Sequence, residues 1–399
     1  MLDATAAPRG SERASAEALR DWCRGRWPQV DWTVQAYGDG GANLIGRHRS
    51  RSGGAQNPAL GTGVLLYSHL DTSLDGGLPD AAVTGRTDPV GALRVHNDGT
   101  VDGFGLGVAR APAAAALLGF AERADPDAGA TLLLAGSGTH RLEAGGSGPT
   151  GVAAYLAAEP RPAAAVVAKA GPAGVLWSEP GAAYLQVRLS GRPGAVLARA
   201  AARPSGGVIA YAGLIIAAIE AWRLRYRADR ADPSGQIGAE VGIGAIRAGL
   251  WEKPDLLPAA LELGLYLVTM PGDDVDELAR ELADDLRSAV ALGPLSGCDI
   301  EVTAEPVHAA AATDEQAPIV RRAVAAWTAA FGVPVPIRGW TGSTDGVVLR
   351  GHGIDTVRLG PQISAGVADA RRDVVPLDRL AAWPAIYAAL LQRLPNLRR

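Results

Sequence analysis

The sequence is poor in the residues that build disulfide frameworks and thiolate metal sites. Its 399 residues include only two cysteines, Cys23 and Cys298, which lie too far apart for a CxxC motif. We therefore expect free thiols and a cytoplasmic location, and the start of the chain lacks the charged-then-apolar pattern of a secretory signal. Only Lys169 and Lys253 are lysines, and there are six histidines. Histidine-based chemistry is therefore restricted to a few positions.

Long apolar runs and basic blocks are also missing. The longest apolar candidate, Gly206–Trp222, is interrupted by Glu220 and falls short of the ~18–20 apolar residues of a membrane span. A formal net charge of −4 without basic blocks argues against nucleic acid as the main partner. The content of 48% hydrophobic and 20% charged residues is typical of a folded chain, long enough for two to three domains. We therefore expect a folded globular protein.

Short apolar strands alternate with helices in the first part of the chain. Val64–Tyr67, Thr131–Ala135 and Ala164–Ala168 are continuous apolar runs bounded by turn residues, which is typical of buried parallel strands. Helical patterns between them include Pro112–Ala124 and Thr150–Ala158. This alternation predicts an α/β domain of three layers with a mainly parallel sheet.

The pattern then changes to the β-α-β-β-α-β order of a ferredoxin-like unit. Its predicted elements are Ala183–Ser190, Ser205–Arg225, Gln236–Arg247, Ala259–Thr269, Asp274–Leu292 and Asp299–Glu305. The α/β character resumes afterwards in Asp314–Phe331 and Val357–Leu359. We therefore predict an α/β domain of residues 1–181 and 307–399 with an inserted domain of residues 182–306.

The sharpest local motif is His69-x-Asp71 at the C-terminal end of a predicted buried strand. Residues two apart on a strand share a face, so the carboxylate can fix the tautomer of the imidazole. The C-terminal edge of a parallel sheet is also where such folds bind ligands. This motif is therefore the first candidate for catalytic residues, although it is short.

The surroundings of this motif carry a family resemblance. Residues 64–77 read VLLYSHLDTSLDGG, residues 98–112 read DGTVDGFGLGVARAP, residues 341–346 read TGSTDG, and residues 372–377 read RDVVPL. Together they resemble the dizinc metallopeptidase superfamily of aminoacylases, carboxypeptidase-G-like enzymes, succinyl-diaminopimelate desuccinylases and N-carbamoyl amino-acid hydrolases. The resemblance runs from about residue 15 to the end of the chain. It implies that the inserted unit is a lid and dimerisation domain, and that the protein is a homodimer through it.

Most of the metal ligands that this resemblance implies are replaced. His69 and Asp71 stand where the family has its first zinc ligand and the orienting carboxylate. Val108 stands at the position of the family's bridging aspartate. Thr139-His140 stand at the position of its Glu-Glu pair, which supplies the general base. The next acidic ligand falls on Lys169, and the last histidine ligand falls on Asp369. In the lid, the functional histidine, asparagine and arginine of the family fall near Ala195, Ile209 and Val268–Thr269.

These replacements argue against ordinary dizinc hydrolysis. A bridging carboxylate holds two cations at ~3.5–4 Å, and a base deprotonates the bound water; valine and threonine supply neither. We expect no cofactor, with the ammonium of Lys169 in the old metal cavity, paired with Asp369 or Asp71. An alternative keeps a single Zn or Mn on His140 and Asp369, with Asp102 as a third ligand. The polar residues available for acid–base work are His69, Asp71, Lys169, His140 and Asp369.

Candidate substrate-binding residues follow from the same resemblance. Ser343, Thr344 and Asp345 match a substrate-side loop of the family. Trp340 can line the pocket beside this loop, and His308 stands at the end of the predicted lid, where it can line the cleft. His48 and His96 are expected at the surface. The functional alternatives are an enzyme that hydrolyses, cyclises or condenses a small amino-acid-like or amide substrate without the dizinc centre, a residual single-metal amidohydrolase, and an inactive binding or scaffolding subunit.

Overall fold

The structure is a computed structural model that describes residues 10–49, 63–71, 93–103, 105–138, 149–196, 207–362, 364–365 and 373–393. The chain divides into two compact units. Unit 1 comprises the described residues of Met1–Ser178, Ala312–Ile337 and Thr344–Arg399, and unit 2 comprises those of Glu179–Ala311 and Arg338–Ser343.

The strands of the described residues, in chain order, are β1 (Val30–Tyr37), β2 (Gly41–His48), β3 (Val64–His69), β4 (Arg94–Val95), β5 (Thr100–Gly103), β6 (Thr131–Ala135), β7 (Ala164–Ala168), β8 (Ser178–Glu179), β9 (Gly181–Ser190), β10 (Gly194–Ala195), β11 (Glu240–Ala248), β12 (Leu256–Leu257), β13 (Ala260–Thr269), β14 (Asp299–His308), β15 (Ala311–Ala312), β16 (Asp355–Leu359), β17 (Ser364–Ala365) and β18 (Asp373–Pro376). The α-helices are α1 (Arg13–Arg26), α2 (Ala111–Leu118), α3 (Gly151–Ala158), α4 (Ala212–Asp229), α5 (Val275–Val290), α6 (Pro318–Phe331), α7 (Gly346–Gly351), α8 (Leu377–Ala381) and α9 (Trp383–Leu390). The π-helical turns Leu106–Arg110 and Gly119–Arg123 flank α2.

The main sheet of unit 1 has the strand order β1-β2-β6-β3-β7-β16. The strands β6, β3, β7 and β16 are parallel, whereas β1 and β2 add an antiparallel edge. A second, smaller sheet of unit 1 has the order β17-β18-β5-β4. This architecture confirms the predicted α/β fold class with a mainly parallel sheet.

Both faces of the main sheet are covered, which is why most residues of its central strands are apolar. Leu66 and Leu132 belong to one buried cluster, together with residues of α1, α2, α6 and α9. Their neighbours Leu65 and Leu133 belong to a second buried cluster on the other face, together with residues of α3 and α7. Successive residues of a strand point to opposite faces, so a strand between two helical layers is apolar along most of its length.

Unit 2 has an antiparallel sheet in the order β11-β13-β9-β14. The order of β9, α4, β11, β13, α5 and β14 along the chain gives the predicted ferredoxin-like topology. Apolar residues of α4 and α5, such as Ile219 and Leu282, are buried in one cluster with Leu185 and Leu263 of the sheet. At the start of α5, the side chain of Asp274 accepts hydrogen bonds from the next turn and satisfies otherwise unpaired N–H groups.

One predicted helix begins later than expected. The pattern predicts a helix over Ser205–Arg225, but α4 spans Ala212–Asp229, and Val208–Tyr211 form turns before it. Glycine is costly inside a helix, and Gly206 and Gly207 stand in the predicted first turn. Of the helices in the described ranges, none has the length and apolar character needed to cross a membrane.

Candidate active site in unit 1

The C-terminal end of β3 places three polar side chains on one face of the main sheet. Tyr67, His69 and Asp71 alternate along the chain, and Tyr67 lies on the same face as the buried Leu65. The exposed fractions of the three residues are only 0%, 4% and 1%, respectively. Buried polar groups need partners. The neighbouring elements supply them.

His69 is the centre of this polar cluster. Its Nε2 lies 3.2 Å from Nζ of Lys169. Its Nδ1 lies 3.5 Å from Oδ1 of Asp71 and 3.9 Å from Oδ2 of Asp345. Nδ1 therefore faces two carboxylates, and Nε2 faces an ammonium group. A neutral imidazole that carries its proton on Nδ1 fits this arrangement, because Nε2 is then free to accept a hydrogen bond from Lys169.

Lys169 reaches His69 because their strands are neighbours in the parallel sheet. Val64 of β3 is in register with Ala164 of β7, so the carboxyl ends of the two strands lie at the same edge. Lys169 directly follows β7 and is half-buried. Its backbone carbonyl is packed so closely against Gly360 that a Cβ at that position would overlap it. The lysine backbone is therefore tightly held beside His69.

Tyr67 and Asp345 form a second buried contact in the cluster. The Tyr67 hydroxyl donates a hydrogen bond to Oδ2 of Asp345 and lies 3.2 Å from Nδ1 of His69. Burial, with the negative charge of Asp345 as a second cause, raises the pKa of Tyr67 well above its ordinary value. Tyr67 is therefore a neutral hydrogen-bond donor at physiological pH. Sequence analysis missed this residue, because a tyrosine in an apolar strand looks like any core residue.

A further buried carboxylate lies at the end of the neighbouring strand β6. Glu12, whose exposed fraction is 0%, accepts hydrogen bonds from the backbone N–H of Ser137 at 2.8 Å and of Gly10 at 2.7 Å. Burial raises the pKa of Glu12, and hydrogen bonds from the backbone N–H groups of Gly10, Glu12 and Ser137 offset part of that effect. The sequence offered no signal for Glu12, which precedes the first helix and lies far from every motif.

The described part of this site does not fit a dizinc centre. Among the residues that the structure describes, no three His, Cys, Asp or Glu side chains are grouped to hold a metal ion. Nε2 of His69, the ring nitrogen that points away from Asp71 and Asp345, accepts from the ammonium of Lys169, which would repel a divalent cation at that position. The side chain of Val108 lies outside the description, as do Thr139, His140 and Asp369, so the predicted pair of Lys169 with Asp369 and the single-metal alternative stay predictions.

The remaining predicted site residues fall in other places. Asp102 is buried on β5 of the smaller sheet, where its Oδ2 lies 2.6 Å from Nε2 of His96. In unit 2, Oγ of Ser343 lies 3.0 Å from Nε2 of His308 at the end of β14. Trp340 also lies in unit 2, where its backbone N–H donates a hydrogen bond to the backbone carbonyl of Gln236 at 2.8 Å.

The structure adds two details about residues that the sequence pattern singles out. The expectation that His48 lies at the surface is wrong: it is 9% exposed, and its Nε2 lies 2.8 Å from the Phe120 carbonyl. At the start of α7, Thr344 accepts the hydrogen bond from the Gly346 N–H, so the side chain of Asp345 is available to Tyr67. The loop before α7 thus supplies Asp345 to the buried cluster.

Comparison with known proteins identifies the fold. No family model and no curated protein matches the sequence. The chain is similar in structure to a tripeptidase from Staphylococcus aureus, with 13% identity, a TM-score of 0.65 and coverage of 98% of this chain and 95% of that one. An M20 family metallo-carboxypeptidase from Sulfolobus solfataricus matches with 13% identity and a TM-score of 0.62, covering 98% of this chain and 96% of that one. An amidase of the hydantoinase/carbamoylase family from Burkholderia phymatum matches with 17% identity and a TM-score of 0.56, covering 96% and 91%.

These similarities confirm the resemblance at the level of fold. The chain shares its fold with an M20 family metallo-carboxypeptidase and a hydantoinase/carbamoylase family amidase: an α/β unit with a mainly parallel sheet and an inserted antiparallel unit. Because fold does not determine function, the activity has to be argued from the site itself.

Proposed function

We propose that this protein is an enzyme that acts on the amide bond of a small amino-acid-like substrate without a dizinc centre. The observation that carries the proposal is the contact of 3.2 Å between Nζ of Lys169 and Nε2 of His69. An ammonium group supplies one positive charge beside His69, the position at which the sequence resemblance implies the first zinc ligand. The half-buried Lys169 is also the most accessible member of a cluster whose other members are buried.

The roles of the residues follow from their positions. Lys169 stabilises the negative charge that develops on the carbonyl oxygen when a nucleophile adds to the amide carbon. When the ammonium turns toward that oxygen, Nε2 of His69 accepts the proton of the nucleophile and returns it to the leaving nitrogen as the C–N bond breaks. Asp71 and Asp345 hold the ring in the tautomer with the proton on Nδ1, and they stabilise the imidazolium that forms.

The polar character of the cluster favours an enzyme over an inactive binding subunit. A decayed site fills with apolar side chains, whereas here two carboxylates, a phenol, an imidazole and an ammonium group lie in mutual contact range. Burying such a set is costly unless its members are retained for chemistry or for a specific ligand.

The experiment is a turnover assay on protein treated with a chelator. The panel contains dipeptides, N-acyl amino acids and N-carbamoyl amino acids, and the variants are Lys169→Met, His69→Gln and, as a control, Lys253→Met at the exposed second lysine. Turnover of one class by the chelated protein and the control, lost in the two site variants, supports the proposal. Activity that depends on added metal overturns the metal-free mechanism. Binding without any turnover assigns the protein to the binding class.

We also propose that the protein is a cytoplasmic homodimer through unit 2. Strand β11 lies at the edge of its sheet, and Ile246, Leu250 and Trp251 on and after this strand are 57%, 67% and 94% exposed. Exposed apolar patches of this kind mark interaction sites. Free cysteines support the cytoplasmic location; Cys23 is buried, which raises the pKa of its thiol to about 12.

A further inference from the structure

Glu12 is connected to the candidate site through a tight turn. The turn Gly136-Ser137-Gly138 directly follows β6, at the same sheet edge as His69. Oε1 of Glu12 lies 2.8 Å from the backbone nitrogen of Ser137 and 3.2 Å from its hydroxyl oxygen. A Cβ added to Gly136 would lie 2.7 Å from Cδ of Glu12, so only glycine leaves room for the carboxylate there.

The turn has an unusual backbone at the residue that Glu12 holds. Ser137 has φ of +48°, and no other non-glycine residue in the described ranges has a positive φ. Such a conformation is uncommon for residues with a Cβ and persists where its surroundings hold it. Here the two hydrogen bonds from Ser137 to Glu12 provide that constraint.

The next residue of the turn lies beside the imidazole of His69. A Cβ added to Gly138 would lie 3.1 Å from Cε1 and 3.3 Å from Nδ1 of His69, so the turn leaves too little room for a side chain next to the ring. It would also lie 3.7 Å from Oδ2 of Asp345. Any shift of the turn would therefore change the space in which His69 is oriented toward its carboxylates.

We propose that Glu12 is a positioning residue of this site: by holding Ser137 in its left-handed conformation, it keeps Gly138 against His69 and fixes the imidazole between Lys169 and the two aspartates. The role in turnover rests on the proposed function. The role in fixing the ring does not, because it is a property of the resting protein.

The test measures the ring of His69 separately from activity. Two-dimensional ¹H–¹⁵N spectra of the histidine side chains report which ring nitrogen carries the proton, and His69→Gln assigns the signal. We expect Glu12→Ala to shift the His69 signals and to lower kcat at least about tenfold with KM within about threefold. Glu12→Gln, which retains an acceptor oxygen for Ser137, should restore both. Glu17→Ala, at an exposed position of helix α1, which directly follows Glu12, is the control.

Each outcome decides one part of the proposal. If Glu12→Ala folds and leaves the His69 signals unchanged, the positioning role is wrong, whatever the activity. If the signals move but no variant of the protein turns over any substrate, the positioning role stands and the proposed function fails. If Glu12→Ala does not fold, Glu12→Asp replaces it, because it keeps the carboxyl group but shortens the side chain, and it should also shift the His69 signals. Gly138→Ala should shift the same signals directly.

Discussion

Nζ of Lys169 lies 3.2 Å from Nε2 of His69, although the two residues are 100 positions apart in the chain. The contact brings an ammonium group to the ring nitrogen that points away from Asp71 and Asp345. The imidazole is thus placed between a cation on one side and two buried carboxylates on the other. This arrangement suits proton transfer through the ring, and it leaves the positive charge at the accessible end of the cluster.

Replacing Lys169 by methionine should remove the positive charge with little change in volume. We expect loss of turnover by at least about 100-fold and a free energy of unfolding lowered by roughly 1–3 kcal/mol, since a charged hydrogen bond is lost. Lys169→Arg should retain most of the stability, because the charge remains. Lys253→Met at the exposed lysine should change neither quantity. Urea unfolding and the turnover assay measure the two effects, and unchanged turnover in Lys169→Met contradicts the assigned role.

Removing the hydroxyl of Tyr67 should have consequences that another buried tyrosine does not share. Tyr67→Phe deletes a donor to Asp345, whose exposed fraction is 0%, and should lower the free energy of unfolding by about 2 kcal/mol. The matched control is Tyr387→Phe, which deletes a hydrogen bond of 3.2 Å to the Leu359 carbonyl in the core of the same unit. Both variants should be less stable, but only Tyr67→Phe should shift the ring signals of His69. Equal spectra for the two variants would show that Tyr67 is only a core residue.

The buried Glu12 should make stability depend on pH in a specific direction. Because burial raises its pKa from the ordinary value of 4.5, the folded protein binds this proton more tightly than the unfolded chain. Its contribution to stability is therefore full below about pH 4.5 and decreases as the pH rises toward the raised pKa.

Glu12→Gln removes this titration, so its free energy of unfolding should fall less steeply with pH over that range, by up to about 1.4 kcal/mol per pH unit. Urea unfolding between pH 4 and pH 8 measures how steeply the free energy of unfolding changes with pH, with Glu17→Gln on the neighbouring helix α1 as the exposed control. Parallel curves for the wild type and Glu12→Gln would contradict a raised pKa at Glu12.

Divalent metals should not stabilise the protein through this site. A ligand that binds only the folded state raises its stability by RT ln(1 + [L]/Kd), which is about 2.7 kcal/mol at 100 times Kd. With the ammonium of Lys169 against His69, we expect Zn²⁺ or Mn²⁺ to leave Tm unchanged, and chelation to leave turnover unchanged. Thermal unfolding with a metal titration checks this expectation. A saturable rise in Tm that Lys169→Met enhances and His69→Gln abolishes would place a metal at His69.

The edge of unit 2 should determine the oligomeric state. The wild type should sediment as a dimer of the 40.9 kDa chain, and Trp251→Ser together with Leu250→Ser should shift it toward the monomer. Leu292→Ser, at a fully exposed leucine elsewhere in unit 2, should leave the dimer intact. Sedimentation velocity at several protein concentrations measures the equilibrium. A monomeric wild type would remove the dimer proposal without affecting the site in unit 1.

Local patterns were sufficient for much of the fold. The apolar runs around Leu66, Leu132 and Val166 predict central strands because a strand covered on both faces is apolar along most of its length. Helix starts were less certain: α4 begins at Ala212 rather than Ser205, since the cost of the preceding glycines competes with the apolar period. His48 was misjudged for a similar reason, because its neighbouring arginines suggested an exposed strand end.

The sequence by itself determined the layered α/β architecture, the inserted antiparallel unit, and the place of His69 and Asp71 at a strand end, because each depends on spacing along a short segment. Only the tertiary structure decided which side chains complete the cluster. Tyr67 and Asp345 are 278 residues apart, and Glu12 and Ser137 are 125 residues apart. Contacts at such separations depend on which strand ends share an edge and on which buried polar groups must find partners, and no local period encodes either.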